Sequence, residues 1–259
     1  MTPRPKAIIH TPEEIVRIRR AAQATAQVRD RLTAVAVPGM STLEFDRIAA
    51  SLIAETGGKS AFLGYHGYPG NVCISLNDEV VHGIGRADRI MMADDLVSID
   101  LGVELDGAVG DTAVTFGLGA PLSPRDQLLL DTTSRALTAG ISRAVAGNYI
   151  RDISAAIEAT ARKHGIAIVR DFVGHGCGIK LHEPPEIPNY VTPYRGVRLE
   201  PGMVLAIEPM FNLGTYRVTI DPDDKWTVRT QDGKRSAHFE HLVLVTDNEP
   251  EILTWPKTM

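Results

Sequence analysis

The sequence predicts an α+β fold built from two similar halves that face each other. Helix signals precede strand signals twice along the chain, and each round of signals contains an Asp-Gly turn. Thr11 and Ser123 open the two rounds. The number of residues that separates them nearly equals the number that separates Asp100 and Glu208, which lie in a predicted strand of each round. Residue identity between the rounds is faint, so the prediction depends on the order and spacing of elements.

The first round opens with two helix signals. Thr11-Pro12-Glu13-Glu14 combines an N-cap, a proline suited to the first helical position and a capping-box glutamate. Apolar residues follow at helical spacing, which predicts a long helix. Ser41-Thr42-Leu43-Glu44 repeats the capping-box pattern and Gly57-Gly58 supplies a stop, so we expect a second helix over residues 42–56.

Strand signals close each round. Residues 96–103 and 108–116 are rich in Val, Ile and Thr, and they flank the hairpin signal Asp106-Gly107. The second round is predicted to contain helices over residues 123–145 and 152–164, strands over residues 166–173, 203–211 and 238–245, and a hairpin turn at Asp232-Gly233.

Composition excludes several classes of function. A formal net charge of −5 gives no overall attraction to nucleic acid or anionic lipid, so no specific nucleic-acid partner is expected. No apolar run approaches the roughly 20 residues of a membrane span, and residues 1–10 lack a signal-peptide core. We therefore expect a cytoplasmic protein. Cys73 and Cys177 lack the pattern of a disulfide framework or a thiolate zinc site.

Two aspartates share one face of the first predicted hairpin. Across a two-residue turn, Asp111 lies opposite Gly102, and Asp100 lies opposite Ala113 by the same count. Such diagonal neighbours are roughly 7 to 8 Å apart, close enough to reach one cation or a pair of cations. The alternative is that Asp111 is a solvated aspartate near the turn and Asp100 a charge on an edge strand, but Asp100 interrupts an apolar run. We expect the glycines Gly102 and Gly110 to leave room for metal and substrate.

Three further candidate ligands lie in the second round. His175 stands between glycines after an apolar stretch, so both its backbone and its imidazole can approach a bound group. Glu208 ends an apolar run, and Glu240 precedes another. Each residue alone could be structural or a surface charge. If the fold brings them to the two aspartates, four carboxylates cluster with one imidazole, and cations must offset the repulsion.

A series of short motifs occurs in a fixed order. The motifs are Leu63-Gly64-Tyr65-His66-Gly67-Tyr68-Pro69, Asn71-Val72-Cys73-Ile74-Ser75-Leu76-Asn77, Glu79-Val80-Val81-His82-Gly83-Ile84, Ile99-Asp100, Gly110-Asp111-Thr112, Gly174-His175-Gly176, His182-Glu183-Pro184-Pro185, Ile207-Glu208-Pro209-Met210 and Phe239-Glu240-His241. Together they resemble the methionine aminopeptidases. The resemblance implies a pita-bread fold with one catalytic domain over residues 1–259, whose halves span about residues 11–120 and 121–250. Glu208 follows His175 too closely for the helical insertion of type II enzymes, so the chain resembles the bacterial-style type I form.

The resemblance also implies the chemistry of the site. The implied ligands of two divalent ions are Asp100, Asp111, His175, Glu208 and Glu240, with Asp111 and Glu240 bridging. A metal-bridged hydroxide would attack the peptide carbonyl, and Glu208 would shuttle the proton. His182 would donate to the scissile peptide or its oxyanion, and His82 would contact the substrate backbone beyond the cut. One imidazole among oxygen donors favours Mn(II), Fe(II) or Co(II) over Zn(II).

The implied substrate is the N-terminus of a nascent polypeptide, from which the initiator methionine is removed when the second residue is small. The residues that match substrate-binding positions are His82, His182, Tyr65, Tyr68, Cys73, Phe62, Leu181 and Trp226. Three positions depart from the usual pattern: Phe62 replaces a smaller residue, Leu181 an aromatic residue and Cys177 an isoleucine. The first two changes could offset each other in volume. Transient association with the ribosome would suit an enzyme that acts on nascent chains. No feature of the sequence requires an assembly larger than a monomer.

Two alternatives remain open at this point. Aminopeptidase P and prolidase, pita-bread enzymes that cleave X-Pro bonds, are thought to use the same ligand types. They normally carry an extra N-terminal domain, for which the residues before the first helix are too few. Other pita-bread relatives are binding proteins that have lost ligands, whereas all five ligand positions are filled here.

Overall fold

The computed structural model of the chain describes residues 7–255. The predictions for the start of the chain fall largely on residues 1–6, which lie outside that range. Within the described range no helix has both the length and the apolar character needed to cross a membrane. Helices combine with antiparallel strands, which confirms the α+β class. The helices are α1 (Pro12–Val35), α2 (Thr42–Glu55), α3 (Pro124–Ile141) and α4 (Ile150–His164), with a short 3₁₀ turn at Tyr65–Gly67.

Both helices of the first half begin as their capping signals predict. The backbone N–H of Glu14 donates to the Thr11 hydroxyl at 3.2 Å, and the Thr11 N–H donates to the Glu14 carboxylate at 2.9 Å. Ser41 caps α2 by accepting from the N–H of Glu44 at 3.1 Å. Shortly after α2, Gly57 adopts a φ of 79°, a left-handed conformation that costs glycine little.

The long hairpin of the first half has the predicted register. The strands of this half are β1 (Lys59–Ser60), β2 (Cys73–Leu76), β3 (Glu79–Val81), β4 (Leu96–Leu105) and β5 (Ala108–Gly117). Asp100 pairs with Ala113, and Gly102 pairs with Asp111. On its other side β4 also pairs with β2, where Asp100 lies opposite Cys73. Asp100 is therefore on an interior strand, which rules out the alternative of an edge charge.

The strands of the second half are shorter than predicted. They are β6 (Ala167–Ile168), β7 (Gly174–Gly176), β8 (Glu183–Ile187), β9 (Val204–Ile207), β10 (Met210–Asn212), β11 (Val218–Ile220), β12 (Val228–Thr230), β13 (Ser236–His238), β14 (His241–Leu244) and β15 (Glu251–Ile252). Continuous strands over residues 166–173, 203–211 and 238–245 are therefore wrong. The second is interrupted at residues 208–209, where a proline removes a backbone donor. The third is interrupted at residues 239–240, beside the first half.

The prediction of a second hairpin is also wrong. A turn forms at Asp232-Gly233, where Gly233 has a φ of 69°. However, β12 before the turn pairs with β11 and β3, while β13 after it pairs with β10. The Asp232 carboxylate accepts the backbone N–H of Thr215 at 2.9 Å, which ties the turn to a neighbouring loop. An Asp-Gly pair thus predicted the turn but not the strand pairing.

The two halves meet where β5 passes the break between β13 and β14. The Glu240 N–H donates to the Ala113 carbonyl at 2.9 Å, and the Thr115 hydroxyl donates to the His238 carbonyl at 2.8 Å. One apolar cluster packs α1 and α2 on the long hairpin, and another surrounds α3, α4 and β9. A third cluster draws side chains from both halves. This junction positions the candidate site.

Candidate active site

One cavity of about 990 Å³ contains the predicted site. Its lining includes every residue predicted for metal binding, catalysis or substrate binding. These residues are Phe62, Tyr65, Tyr68, Cys73, His82, Asp100, Asp111, His175, Leu181, His182, Glu208, Trp226 and Glu240. They come from distant parts of the chain, so their convergence is a property of the fold.

The two aspartates of the first half project from neighbouring strands of a regular hairpin. Their flanking glycines serve a different purpose from the one predicted. A Cβ on Gly110 would lie 2.6 Å from both the Ala21 carbonyl oxygen and the Ala22 Cα, so this glycine lets α1 pack on β5. A Cβ on Gly102 would lie 2.9 Å from the Phe62 ring. The prediction that they make room for metal and substrate is wrong, since protein atoms occupy that space.

The ligand candidates of the second half lie where strands are short or interrupted. His175 is the middle residue of β7, and a Cβ on the next residue, Gly176, would lie 2.5 Å from the Pro184 carbonyl oxygen. Glycine there lets β7 and β8 approach closely. Glu208 follows β9, and Glu240 lies between β13 and β14. Their side chains leave the regular strand pattern and enter the cavity.

The distances between these groups suit a shared metal centre. His175 Nε2 is 3.3 Å from Glu208 Oε1 and 3.8 Å from Asp111 Oδ2. Asp111, His175 and Glu240 each offer one ligand atom, and these atoms all lie within 4.8 Å of one another. Side chains from both halves therefore meet at one point, with one imidazole among the carboxylates.

Electrostatics at this point disfavour four free carboxylates. Burial, reinforced by the neighbouring carboxylates, raises the pKa of Asp111 and Glu240 well above the ordinary value. Burial also raises the pKa of Glu208 well above its usual range and that of Asp100 to about 7. Burial lowers the pKa of His175 to about 3, so its imidazole is neutral and can bind a cation.

Three buried oxygen atoms in the cluster have no hydrogen-bond partner. They are Asp100 Oδ1, Asp111 Oδ1 and Glu240 Oε1. Leaving such atoms unpaired is costly, and a bound cation would satisfy them. The donor set of one imidazole and several carboxylate oxygens therefore fits divalent metal ions.

Two histidines flank the cluster in different environments. His182 Nδ1 is 2.8 Å from the Tyr65 hydroxyl, and its ring centroid is 4.2 Å from that of His175. His82 has a φ of 61° and lies edge-on to the rings of Phe172 and Trp226. Burial lowers the pKa of His182 and lowers that of His82 to about 4. Both imidazoles are therefore neutral near pH 7.

The predicted substrate pocket forms an aromatic and apolar wall. Tyr68 packs edge-on against Trp226 with ring centroids 5.2 Å apart, and its hydroxyl donates to the Gly83 carbonyl at 2.8 Å. Burial raises the pKa of the Cys73 thiol well above its usual value, which suits a packing residue. Cys177 is fully buried in the cluster that joins the halves and does not line the cavity.

His238 is a site neighbour that the sequence interpretation missed. Its side chain is buried, and its Nε2 lies 3.4 Å from Glu208 Oε2. The Glu208 carboxylate thus lies between the imidazoles of His175 and His238. The available signal was alternation: His238 and Glu240 stand two residues apart in a predicted strand, where such residues share a face.

Comparisons with known proteins agree with this geometry. The profile of metallopeptidase family M24 matches residues 16–247. Methionine aminopeptidase 1 of Mycobacterium tuberculosis is 50% identical over 229 residues, which cover 86% of this chain and 85% of that protein. The crystal structure of methionine aminopeptidase from Thermotoga maritima matches with a TM-score of 0.92 and 40% identity, covering 96% of this chain and 99% of that one. The likeness confirms the pita-bread fold.

A more distant likeness is limited to the fold. Prolidase from Pyrococcus furiosus matches with a TM-score of 0.77 but only 22% identity. The alignment covers 97% of this chain and 66% of prolidase, so prolidase contains a substantial region without a counterpart in the matched part.

Proposed function

The chain belongs to metallopeptidase family M24 and, within it, to the methionine aminopeptidases, and we propose that it removes the initiator methionine from nascent polypeptides whose second residue is small. It is therefore a hydrolase. The observation that carries this proposal is the single cavity in which four carboxylates and one imidazole lie beside His182 and His82. That arrangement provides metal ligands, a proton carrier and hydrogen-bond donors within reach of one peptide bond.

We propose that the cavity holds two divalent ions. The donor set is Asp100, Asp111, His175, Glu208 and Glu240, with Asp111 and Glu240 shared between the ions. Two features support this assignment: the approach of Asp111, His175 and Glu240 to one point, and the unpaired oxygens of three of the carboxylates. Such ions, when bound, lower the pKa of water toward neutrality and so supply a nucleophile. We expect Mn(II), Fe(II) or Co(II) rather than Zn(II), because oxygen donors predominate.

Glu208 is the residue that we propose carries the proton. One carboxylate oxygen is 3.3 Å from His175 and the other is 3.4 Å from His238, so the side chain lies between two imidazoles. A carboxylate in this position can accept a proton as the nucleophile attacks and return it to the departing amine.

His182 and His82 contact the substrate in our proposal. The Tyr65 hydroxyl lies against Nδ1 of His182, which leaves Nε2 free to donate to the scissile peptide or its oxyanion. His82, held between two aromatic rings, would meet the substrate backbone beyond the cut. The methionine side chain would occupy the part of the cavity lined by Phe62, Tyr65, Tyr68, Cys73, Leu181 and Trp226. Aromatic and sulfur surfaces suit a thioether.

The remaining proposals concern the protein as a whole. We propose that residues 1–259 form one catalytic domain, with halves over about residues 11–120 and 121–250, and that it acts in the cytoplasm as a monomer. Its partners are the N-termini of nascent polypeptides, and transient ribosome association would bring it to them. These proposals rest on the proposed removal of methionine from nascent chains and on the sequence composition.

Metal analysis followed by peptide turnover tests the function. We expect two divalent ions per chain, rapid cleavage of Met-Ala-Ser, very slow cleavage of Met-Leu-Ser and none of an X-Pro dipeptide. Preferred cleavage of the X-Pro dipeptide would identify a prolidase-type enzyme, whereas metal binding without any turnover would indicate a binding protein. Equal rates on Met-Ala-Ser and Met-Leu-Ser would contradict the proposed selection of small second residues.

A further inference from the structure

Arg29 is a buried charged residue of α1 that does not line the cavity. Its exposed fraction is only 8%. Burying a guanidinium is costly unless its donors are satisfied, so its hydrogen bonds indicate what it does. Its Nε lies 2.9 Å from Asp30 Oδ1, and one terminal nitrogen donates at 3.0 Å to the Thr112 hydroxyl and at 3.2 Å to the Thr254 carbonyl.

The contact with Thr112 leads directly to the metal ligands. Since Arg29 occupies an acceptor position of the Thr112 hydroxyl, that hydroxyl donates onward to the Glu240 carbonyl, at 2.9 Å. Thr112 directly follows Asp111 in β5. It is therefore adjacent in the chain to one proposed bridging ligand and hydrogen bonded to the other, which belongs to the second half. The charged guanidinium of Arg29 orients the hydrogen bonds of Thr112, and a charged donor strengthens a chain of hydrogen bonds.

The contact with Thr254 connects Arg29 by a second route to β14, the strand that directly follows Glu240. The Thr254 hydroxyl accepts the N–H of Leu242 at 3.1 Å and lies 2.9 Å from His241 Nδ1. His241 and Leu242 directly follow Glu240. Arg29 thus reaches the carbonyl of Glu240 through Thr112 and the strand after it through Thr254.

Other side chains of α1 hold the segment that contains Thr254. We name residues 251–255 the C-terminal strap. Arg19 forms a two-pronged ion pair with Glu251, with contacts of 2.6 and 3.0 Å, and Gln23 donates to the Trp255 carbonyl at 2.9 Å. The strap is therefore anchored along α1, and Arg29 is its only anchor among these that is also hydrogen bonded to Thr112.

We propose that Arg29 is a positioning residue for Glu240, one of the two shared metal ligands, acting through Thr112 and the C-terminal strap. This inference rests on the metal site of the proposed function. Its physical basis is that Glu240 lies in a gap between strands, where no regular ladder fixes its backbone. Partners behind metal ligands typically contribute about 10- to 100-fold to metal affinity.

Arg29→Met tests the inference because it keeps the apolar stem and removes every donor. Asp30 is half exposed, so water can solvate it in the variant. Titration calorimetry of Mn(II) into the metal-free protein should show Mn(II) binding at least about tenfold weaker than in the unaltered protein, with the fold retained by circular dichroism. Arg29→Lys, which keeps one charged donor, should recover part of the affinity.

Arg31→Met is the matched control on the same helix. Arg31 pairs with Glu55 in solvent, and both side chains are more than half exposed, so its removal should leave Mn(II) affinity unchanged. Thr112→Val is a second test that removes one hydroxyl and retains the backbone N–H. It should weaken Mn(II) binding in the same direction and decides the matter if Arg29→Met does not fold.

The outcomes separate this inference from the proposed function. Absence of Mn(II) binding by the unaltered protein would overturn the metal site itself. Two ions bound by the unaltered protein and by Arg29→Met with equal affinity would overturn only the role of Arg29. An equal loss in Arg31→Met would also overturn it, because the effect would then belong to the helix in general.

Discussion

The two halves of the fold position their proposed metal ligands in different ways. Asp100 and Asp111 lie within β4 and β5, which pair without interruption along their length. His175 lies in a strand of three residues, while Glu208 and Glu240 lie between strands. The proposed ligands of the first half are thus placed by a long, regular ladder. In the second half His175 lies in a short strand paired on both sides, whereas Glu208 and Glu240 lie outside strands.

Glu240 illustrates the second arrangement. Its N–H donates to the Ala113 carbonyl and its own carbonyl accepts from Thr112, and both partners lie in the first half. The hairpin therefore contains two of the proposed ligands and also holds the backbone of a third, Glu240, from the other half. The comparison predicts that damage to β5 spreads to Glu240, whereas damage near Glu240 leaves the hairpin intact.

The strongest test of the comparison removes one ligand at a time. We expect Asp111→Ala and Glu240→Ala each to abolish activity and to lower metal content by more than Asp100→Ala does, because a shared carboxylate serves both ions. Inductively coupled plasma mass spectrometry of the purified variants measures the metal content. Equal occupancy in all three variants would remove the bridging assignment.

The next largest effect concerns His182 of the second half. His182→Ala should keep its metals and its fold while turnover falls by roughly a hundredfold or more, as on removal of one oxyanion donor. His164→Ala, at the end of α4 and outside the cavity, is the control and should retain full turnover. Unchanged turnover in His182→Ala would show that the imidazole is only a loop residue.

A smaller effect is expected at Tyr65, which links the halves through its hydroxyl. Tyr65→Phe keeps the ring in the cavity wall and removes the 2.8 Å contact with His182. Loss of one hydrogen bond costs about 0.5 to 1.5 kcal/mol, so kcat should fall roughly two- to tenfold while KM changes little. A change confined to KM would mean that Tyr65 acts only as a wall of the methionine pocket.

The same comparison explains what the sequence could predict. Asp100 and Asp111 were placed correctly because a two-residue turn determines which residues of a hairpin oppose each other. The helix starts at Thr11 and Ser41 were also correct, since capping is a local interaction. Where backbone geometry follows from neighbouring residues, the sequence sufficed.

Predictions failed where tertiary contacts decide the structure. The strand predicted over residues 238–245 breaks at Glu240, whose N–H bonds to the first half instead of to a neighbouring strand of its own. Alternation with Glu240 pointed to the face of His238, but its proximity to Glu208 depends on the pairing of β13 with β10, which the sequence did not predict. The sequence context made His175, Glu208 and Glu240 candidate ligands, and only the resemblance to known motifs assigned them a shared site.

The smallest expected effect concerns His82 of the first half and the pH dependence of turnover. Burial lowers the pKa of His82 to about 4, below the ordinary value of roughly 6.5, so its imidazole stays neutral from about pH 6 upward. Its protonation therefore cannot shape the rate between about pH 6 and 8. His82→Gln, which keeps a hydrogen-bond donor, should lower kcat/KM by a similar factor at every pH in this range. Loss of an acidic limb near pH 6.5 in the variant would show that His82 titrates there and would contradict the prediction.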